Sequence, residues 1–159
     1  MTELSGGRMF TPPPSPRVVA VIGASRTRGT AGAELLRDLV SGGFEGAVFA
    51  VNPHCAGSDL HGVPCVAGLG DLPEPPDLAV IAVPAYAVSG VAAACGRFGI
   101  PALMVIGSEL TAGQRGGLLA VCREHGIRLA GRDYLDAAFG PGRPAAPGEP
   151  LSARTSPAR

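Results

Sequence analysis

The chain has 159 residues, of which 46% are hydrophobic and 16% are charged. This composition is sufficient for one domain of roughly 100–150 residues with a buried core. Basic and acidic residues number 13 each, and every basic residue is an arginine. With no net charge and no basic stripe, the sequence argues against binding to nucleic acid or to a membrane surface. The chain does not open with an apolar export segment, so we expect a cytoplasmic protein whose four cysteines are reduced thiols.

Short apolar segments lie between two polar, proline-rich ends of the chain. They are rich in Val, Ile, Leu and Ala without alternation, which is typical of strands covered on both faces of a parallel sheet. The predicted strands span residues 17–22, 47–51, 78–83, 102–106 and 127–130. We expect a folded domain over residues 17–140, with a disordered arm at 1–16 and a disordered tail at 141–159.

Helical patterns connect most of these strands. The first helix is predicted to begin near Thr30 and to end at Gly42 and Gly43, where glycine would supply a left-handed cap. A second long helix is predicted over residues 85–98 from its apolar spacing. Thr111 and Gln114 have the spacing of a capping box, which predicts the start of another helix.

The connection over residues 52–77 is the exception, because it holds five prolines and four glycines. We predict at most one helical turn in it, at 66–71. The alternation elsewhere indicates an α/β fold with a Rossmann-like, doubly wound sheet of five parallel strands in the order 3-2-1-4-5. A ligand crevice is then expected at the carboxyl ends of the first and fourth strands.

The end of the first strand carries the main functional signal. A Gly-rich polar loop follows it and leads into a helix, an arrangement that is typical of phosphate sites because free N–H groups and the helix dipole favour an anion. The loop residues concerned are Gly23, Ala24, Ser25, Arg26, Gly29, Thr30 and Gly32.

Three phosphate ligands compete for this loop. A P-loop is excluded, since Thr30 stands where the motif requires lysine and the chain has none. A dinucleotide site has a GxGxxG spacing and an acidic residue after the second strand, whereas here the first glycine interval is longer and Asn52 and Pro53 follow that strand. An enlarged loop with hydroxyls and guanidinium groups suits the pyrophosphate of coenzyme A. An NAD(P)-binding redox sensor or orphaned dehydrogenase half, and a degenerate interaction module without ligand, stay open as alternatives.

Several motifs in order along the chain carry a family resemblance. They are VAVIGAS (19–25), GTAG (29–32), GGFEGAVFAVNP (42–53), DLPEPPDLAVIAVP (71–84) and CREHGIRLAG (122–131). Residues 10–135 resemble the CoA-binding domain of ADP-forming acyl-CoA synthetases. That domain is similar to the N-terminal domain of the succinyl-CoA synthetase alpha subunit, and it is also fused to some bacterial protein lysine acetyltransferases.

The resemblance implies a role for each part of the crevice. The seven loop residues named above would hold the pyrophosphate of CoA or acyl-CoA, and Asn52 and Pro53 would border the adenosine. The pantetheine arm would lie against the end of the third predicted strand, at Val83, Pro84 and Ala85. The thiol end would lie near the end of the fourth, at Ile106, Gly107 and Ser108.

The resemblance also implies what the chain does not do by itself. The family's phosphorylated catalytic histidine belongs to a following domain, and none of His54, His61 and His125 corresponds to it. We therefore expect no catalytic residue here, and a stand-alone CoA-binding protein that acts as a sensor, a carrier, or a regulatory or split-synthetase subunit. A separately encoded synthetase or acetyltransferase partner, and self-association, remain open.

Histidine and cysteine side chains in the long connection are potential zinc ligands. His54, Cys55, His61 and Cys65 share the long connection, but their spacing matches no closed zinc site, so we expect no metal. Cys95 and Cys122 fall on apolar helical faces and are predicted to be core residues.

Overall fold

A computed structural model describes residues 16–25, 27, 29–42 and 44–131. Apart from Pro16, the predicted arm and tail lie outside these residues. The strands are β1 Val18–Ile22, β2 Ala47–Val51, β3 Asp59–Leu60, β4 Val63–Val66, β5 Leu78–Ile81, β6 Ala102–Val105 and β7 Arg128–Leu129. The helices are α1 Ala31–Ser41, α2 Val88–Arg97 and α3 Ala112–His125, with 3-10 turns at Leu69–Asp71 and Ala85–Ala87.

The strands form one sheet in the order β3-β4-β2-β1-β5-β6-β7. Every pair is parallel except β3 with β4. The predicted α/β Rossmann-like class is confirmed. The predicted strand order is wrong, because the third predicted strand (β5) pairs with β1 rather than lying outside β2.

The place outside β2 is occupied by β4, which lies in the connection where we predicted no strand. Counting β4 as the third parallel strand, the order along the sheet is 3-2-1-4-5-6. The order of the strands reverses between β1 and β5. The crevice of a doubly wound sheet lies at such a reversal, so it is centred on the carboxyl ends of β1 and β5, whereas the predicted order had centred it on the first and fourth predicted strands, β1 and β6.

The helix boundaries follow local capping chemistry. The Thr30 hydroxyl accepts a hydrogen bond from Ala33 N at 3.3 Å and begins α1. The predicted capping box at the start of α3 is confirmed, and Gly126 ends that helix with a left-handed φ of 69°. Of the two glycines predicted to supply the left-handed cap, Gly42 does not, because its φ is −83° and its N–H continues the helical pattern to Asp38 O. Gly43 lies outside the described residues.

The sheet is covered on both faces, as the continuous apolar strands predicted. On one face α1 packs over alternate strand residues such as Val19 and Val21, in a core cluster that also includes Leu60 and Val63 of the β3–β4 hairpin. On the other face α2 and α3 pack over the intervening residues, such as Ala20 and Ile22. None of the described helices is long and apolar enough to cross a membrane.

Cys95 and Cys122 are buried between the sheet and the two helices on that second face, which confirms their prediction as core residues. Burial, together with the smaller effect of the neighbouring Cys122 thiol, raises the pKa of Cys95 to about 12. Burial also raises the pKa of Cys122. Both thiols are therefore protonated at neutral pH and act as small packing groups.

Candidate functional site

The Gly-rich loop over residues 23–32, the phosphate loop, begins at Gly23, beside the segment that follows β5. Gly23 has a φ of 92°, and a Cβ at this position would lie 2.8 Å from both the carbonyl oxygen of Ala82 and Cγ1 of Val83. Only glycine tolerates both this conformation and this approach. The Gly23 N–H also donates to Val51 O at 3.0 Å. One residue thus joins the ends of β1, β2 and β5.

Hydroxyl groups shape the interior of the loop. The Ser25 Oγ accepts a hydrogen bond from Thr27 N at 2.8 Å. The Thr30 Oγ1 donates to Thr27 O at 2.8 Å while capping α1. Gly29, between them, has a φ of 85°, and a Cβ on it would find no atom within 4 Å. The loop is therefore closed by its own hydrogen bonds and is open to solvent at Gly29.

The loop presents the first turn of α1 to this open space. Thr30 satisfies the N–H groups of Ala33 and Glu34. Among the described residues, no acceptor is bonded to the N–H groups of Ala31 and Gly32. N–H groups at the positive end of a helix dipole are suited to an anion.

Asn52, at the tip of β2, holds the loop in place. Its Nδ2 donates to Ala24 O at 2.7 Å, and its Oδ1 accepts from His54 N at 2.8 Å. Its backbone is also fixed, since Asn52 N donates to Val66 O at 2.9 Å. Both ends of the side chain are used inside the protein, so Asn52 is a positioning residue for the phosphate loop. Pro53 follows it as an exposed residue on the rim.

The loops after β5 and β6 close the other side of the crevice. The Ser108 Oγ donates to Val83 O at 2.9 Å, which ties these two loops together. A Cβ on Gly107 would lie 2.6 Å from Ala31 Cβ, so the second loop also reaches the start of α1. The ends of β1, β2, β5 and β6 therefore converge on the α1 N-terminus.

The structure thus gathers most of the predicted residues at one edge of the sheet. Pro84 is exposed at the N-cap of a 3-10 turn, while Ala85 and Ile106 are half-buried. Arg26 lies outside the described residues.

Sequence reasoning missed Thr27 and Ala82. Thr27 contributes only its backbone, and Ala82 contributes only its small size, so neither carried a signal of residue type.

A carboxylate lies next to the anion site. The Glu34 side chain is 37% exposed, and its Oε2 is 3.3 Å from Arg37 Nη1. The same oxygen accepts a hydrogen bond from Gly29 N at 3.4 Å. Glu34 therefore places negative charge within one helical turn of the N–H groups at the start of α1, and Arg37 partly offsets it.

Within the described part of the chain, no three His, Cys, Asp or Glu side chains form a group that could hold a metal ion. Cys65 instead donates its thiol proton to Asn52 O at 3.5 Å. Cys55 and Cys65 are both buried and free of disulfides.

A parallel sheet whose strand order reverses at a Gly-rich loop and a helix N-terminus defines a Rossmann-like nucleotide-binding domain. Comparison with protein families identifies the kind of domain. Residues 17–135 match the family described as CoA binding domain, and the chain belongs to that family.

The proteins similar to this chain include a CoA ligase and an acetyl-coenzyme A synthetase. The chain is 36% identical over 122 residues to acetate–CoA ligase [ADP-forming] II of Archaeoglobus fulgidus, a match that covers 73% of this chain and 18% of the ligase. The solved dinucleotide forming acetyl-coenzyme A synthetase 1 of Candidatus Korarchaeum cryptofilum is 33% identical, with a TM-score of 0.69 over 80% of this chain and 30% of that one. A conserved hypothetical protein of Pyrococcus furiosus is 30% identical, with a TM-score of 0.57 over 71% of this chain and 90% of that one.

Proposed function

We propose that this protein binds CoA or an acyl-CoA in the crevice at the carboxyl ends of β1, β2, β5 and β6. The observation that carries this proposal is the phosphate loop of a chain in the CoA binding domain family. The loop closes on itself and, among the described residues, offers no acceptor to the N–H groups of Ala31 and Gly32 at the start of α1. The pyrophosphate would lie against Gly23–Gly32, with the adenosine toward Asn52 and Pro53. The pantetheine arm would extend past the residues that follow β5 and β6, namely Val83, Pro84, Ala85, Ile106, Gly107 and Ser108.

In this proposal the chain binds CoA or an acyl-CoA and does not by itself catalyse a reaction on it. The hydroxyl and amide side chains described around the crevice make hydrogen bonds to the backbone: Ser25, Thr30 and Asn52 shape the phosphate loop, and Ser108 joins two loops. Such groups position a ligand rather than attack it. The protein would then be a sensor or carrier, or a subunit that presents CoA to a separate catalytic partner. The likeness to a solved chain that consists almost wholly of this fold supports the stand-alone form.

A nicotinamide dinucleotide fits the crevice less well. Dinucleotide sites use a carboxylate at the tip of the second strand to bind the ribose hydroxyls. Here that position is Asn52, whose amide is engaged with Ala24 and His54. The tip of β2 therefore lacks that negative charge, and the Asn52 amide is already hydrogen-bonded within the protein.

Isothermal titration calorimetry of the full chain with CoA, acetyl-CoA, NAD and NADP tests the proposal. We expect binding of CoA, acetyl-CoA or both, and no heat of binding with NAD or NADP. Ligand at about 100 times its dissociation constant should also stabilise the fold by about 2.7 kcal/mol, visible as a thermal shift. Binding of NAD in the absence of binding to either CoA species would contradict the proposal, and no binding at all would favour an interaction module.

Neutralising Glu34 is expected to strengthen CoA binding. Glu34→Gln removes the carboxylate beside the pyrophosphate site but keeps an oxygen for Gly29 N. A charge in the first turn of a helix typically contributes about 0.3–1 kcal/mol of electrostatic free energy there. If removal of the Glu34 charge improves the binding free energy of CoA by the same amount, the dissociation constant should fall by about 2–5-fold. The gain should shrink as salt is raised from 0.01 to 1 M, because salt screens exposed charges. Glu124→Gln, on the exposed last turn of α3, is the matched control and should leave affinity unchanged.

A further inference from the structure

A second cavity lies at the amino-terminal edge of the sheet, opposite the proposed CoA crevice. Its volume is about 210 Å³. The walls are formed by the 3-10 turn after β4, the segment before β5 and the residues that follow α2. The lining residues are Leu69, Gly70, Leu72, Glu74, Pro75, Pro76, Phe98 and Ile100.

The cavity is apolar and only partly covered. Ile100 is 3% exposed and belongs to the core, whereas Phe98 is 55% exposed. That ring lies over Gly70, where a Cβ would be 3.6 Å from Phe98 Cζ. Glu74 is the one ionisable side chain in the lining. A matching occupant would present one or two apolar side chains and a cation.

The volume favours a side chain over a free ligand. Pockets for small molecules commonly measure roughly 300–1,000 Å³. An apolar cavity of roughly 150 Å³ is already large enough for benzene. The cavity therefore suits one aromatic ring with part of a neighbouring side chain.

The chain itself enters the fold beside this cavity. Arg17 N and Val18 N donate to the Asp77 carboxylate at 2.7 and 3.1 Å. Asp77 N in turn donates to Val18 O at 2.8 Å. Asp77 directly follows Pro75 and Pro76 of the lining, so Arg17 is held at the edge of the cavity.

We propose that the segment Arg8, Met9 and Phe10, which lies outside the described residues, docks in this cavity. Phe10 packs beside Phe98, and Arg8 pairs with Glu74. The reach is sufficient, because six residue steps of a proline-rich chain span about 19 Å at ~3.1 Å each. The distance to cross from β1 to β6 is two strand spacings, about 10 Å. Phe10 and Met9 are the apolar pair nearest to Arg17 in the arm, and Arg8 directly precedes them.

Photo-crosslinking of the full chain tests the docking directly. The variant Phe10→p-benzoylphenylalanine is irradiated, and the crosslinked peptides are identified by mass spectrometry. We expect crosslinks within one chain to residues 69–76 or 98–100. The same photo-reactive residue at Leu4, further out on the arm, should give few of these crosslinks. Crosslinks between two chains, to other regions, or none would overturn the proposal.

A double-mutant cycle of melting temperatures provides an independent measurement. Phe10→Ala and Phe98→Ala should each lower the Tm by about 2–6 °C, and together they should lower it by less than the sum because they remove one contact. Tyr86, which is 83% exposed at the opposite edge, provides the control. Tyr86→Ala should add independently to Phe10→Ala. Additivity of Phe10→Ala with Phe98→Ala would overturn the proposal.

Discussion

Valine at position 29 is expected to weaken CoA binding by at least 100-fold while the domain stays folded. Gly29 has a φ of 85° and open space around its missing Cβ, so Gly29→Val meets no packed atom. The cost to folding is backbone strain, about 1–2 kcal/mol for a side chain in this region. The isopropyl group would instead fill the space in front of the α1 N-terminus that the pyrophosphate needs. Calorimetry with CoA and thermal unfolding measure the two effects separately.

Gly99→Val is the matched control for this variant. Gly99 has a φ of 81° and also has no atom within 4 Å of a Cβ, but it lies between α2 and β6 at the opposite edge of the sheet. Both variants should therefore lose similar stability, and only the one at position 29 should lose CoA. Unchanged CoA affinity in Gly29→Val would exclude the phosphate loop from the site.

The strands of the sheet could be predicted from sequence wherever a segment is apolar without interruption. The short strand β4 was missed because it reads as a loop: Val63 and Cys65 are buried, but Pro64 stands between them. Proline argues against a strand because it lacks an N–H for the ladder. In the folded protein Pro64 is exposed and pairs with Asp59 of the hairpin. This one missed strand accounts for the wrong strand order, since β4 occupies the position that was assigned to β5.

The glycine spacing and the helix cap locate the phosphate loop from sequence, because positive φ and N-capping restrict residue choice strongly. The contacts between loops could not be predicted in the same way. Ala82 lies against Gly23 and Gly32 only because β5 pairs with β1, which depends on the strand order. Asn52 also braces the loop through its hydrogen bond to Ala24 O, which joins residues 28 positions apart in the chain. Such roles follow from tertiary contacts and have no local sequence signature.

Removal of that brace should lower both stability and affinity. Asn52→Ala deletes the bonds to Ala24 O and His54 N, which are part-buried and exposed, respectively. At about 0.5–1.5 kcal/mol for each hydrogen bond, the free energy of unfolding should fall by about 1–3 kcal/mol. The dissociation constant for CoA should rise by about 10-fold, because ligand binding must then order the loop. Urea unfolding and calorimetry at a temperature where the variant is folded measure these two quantities.

Asp77→Ala separates the local effect from general destabilisation. Asp77 also makes two side-chain hydrogen bonds to the backbone, but at the beginning of β1 rather than at its end. Its loss should cost comparable stability and leave CoA affinity unchanged, because the phosphate loop keeps its contacts with β2 and β5. If Asp77→Ala weakened CoA binding as much as Asn52→Ala, affinity would depend on the stability of β1 as a whole. A loss confined to Asn52→Ala would instead identify the hydrogen bond between the tip of β2 and the phosphate loop as the contact that prepares the site for its ligand.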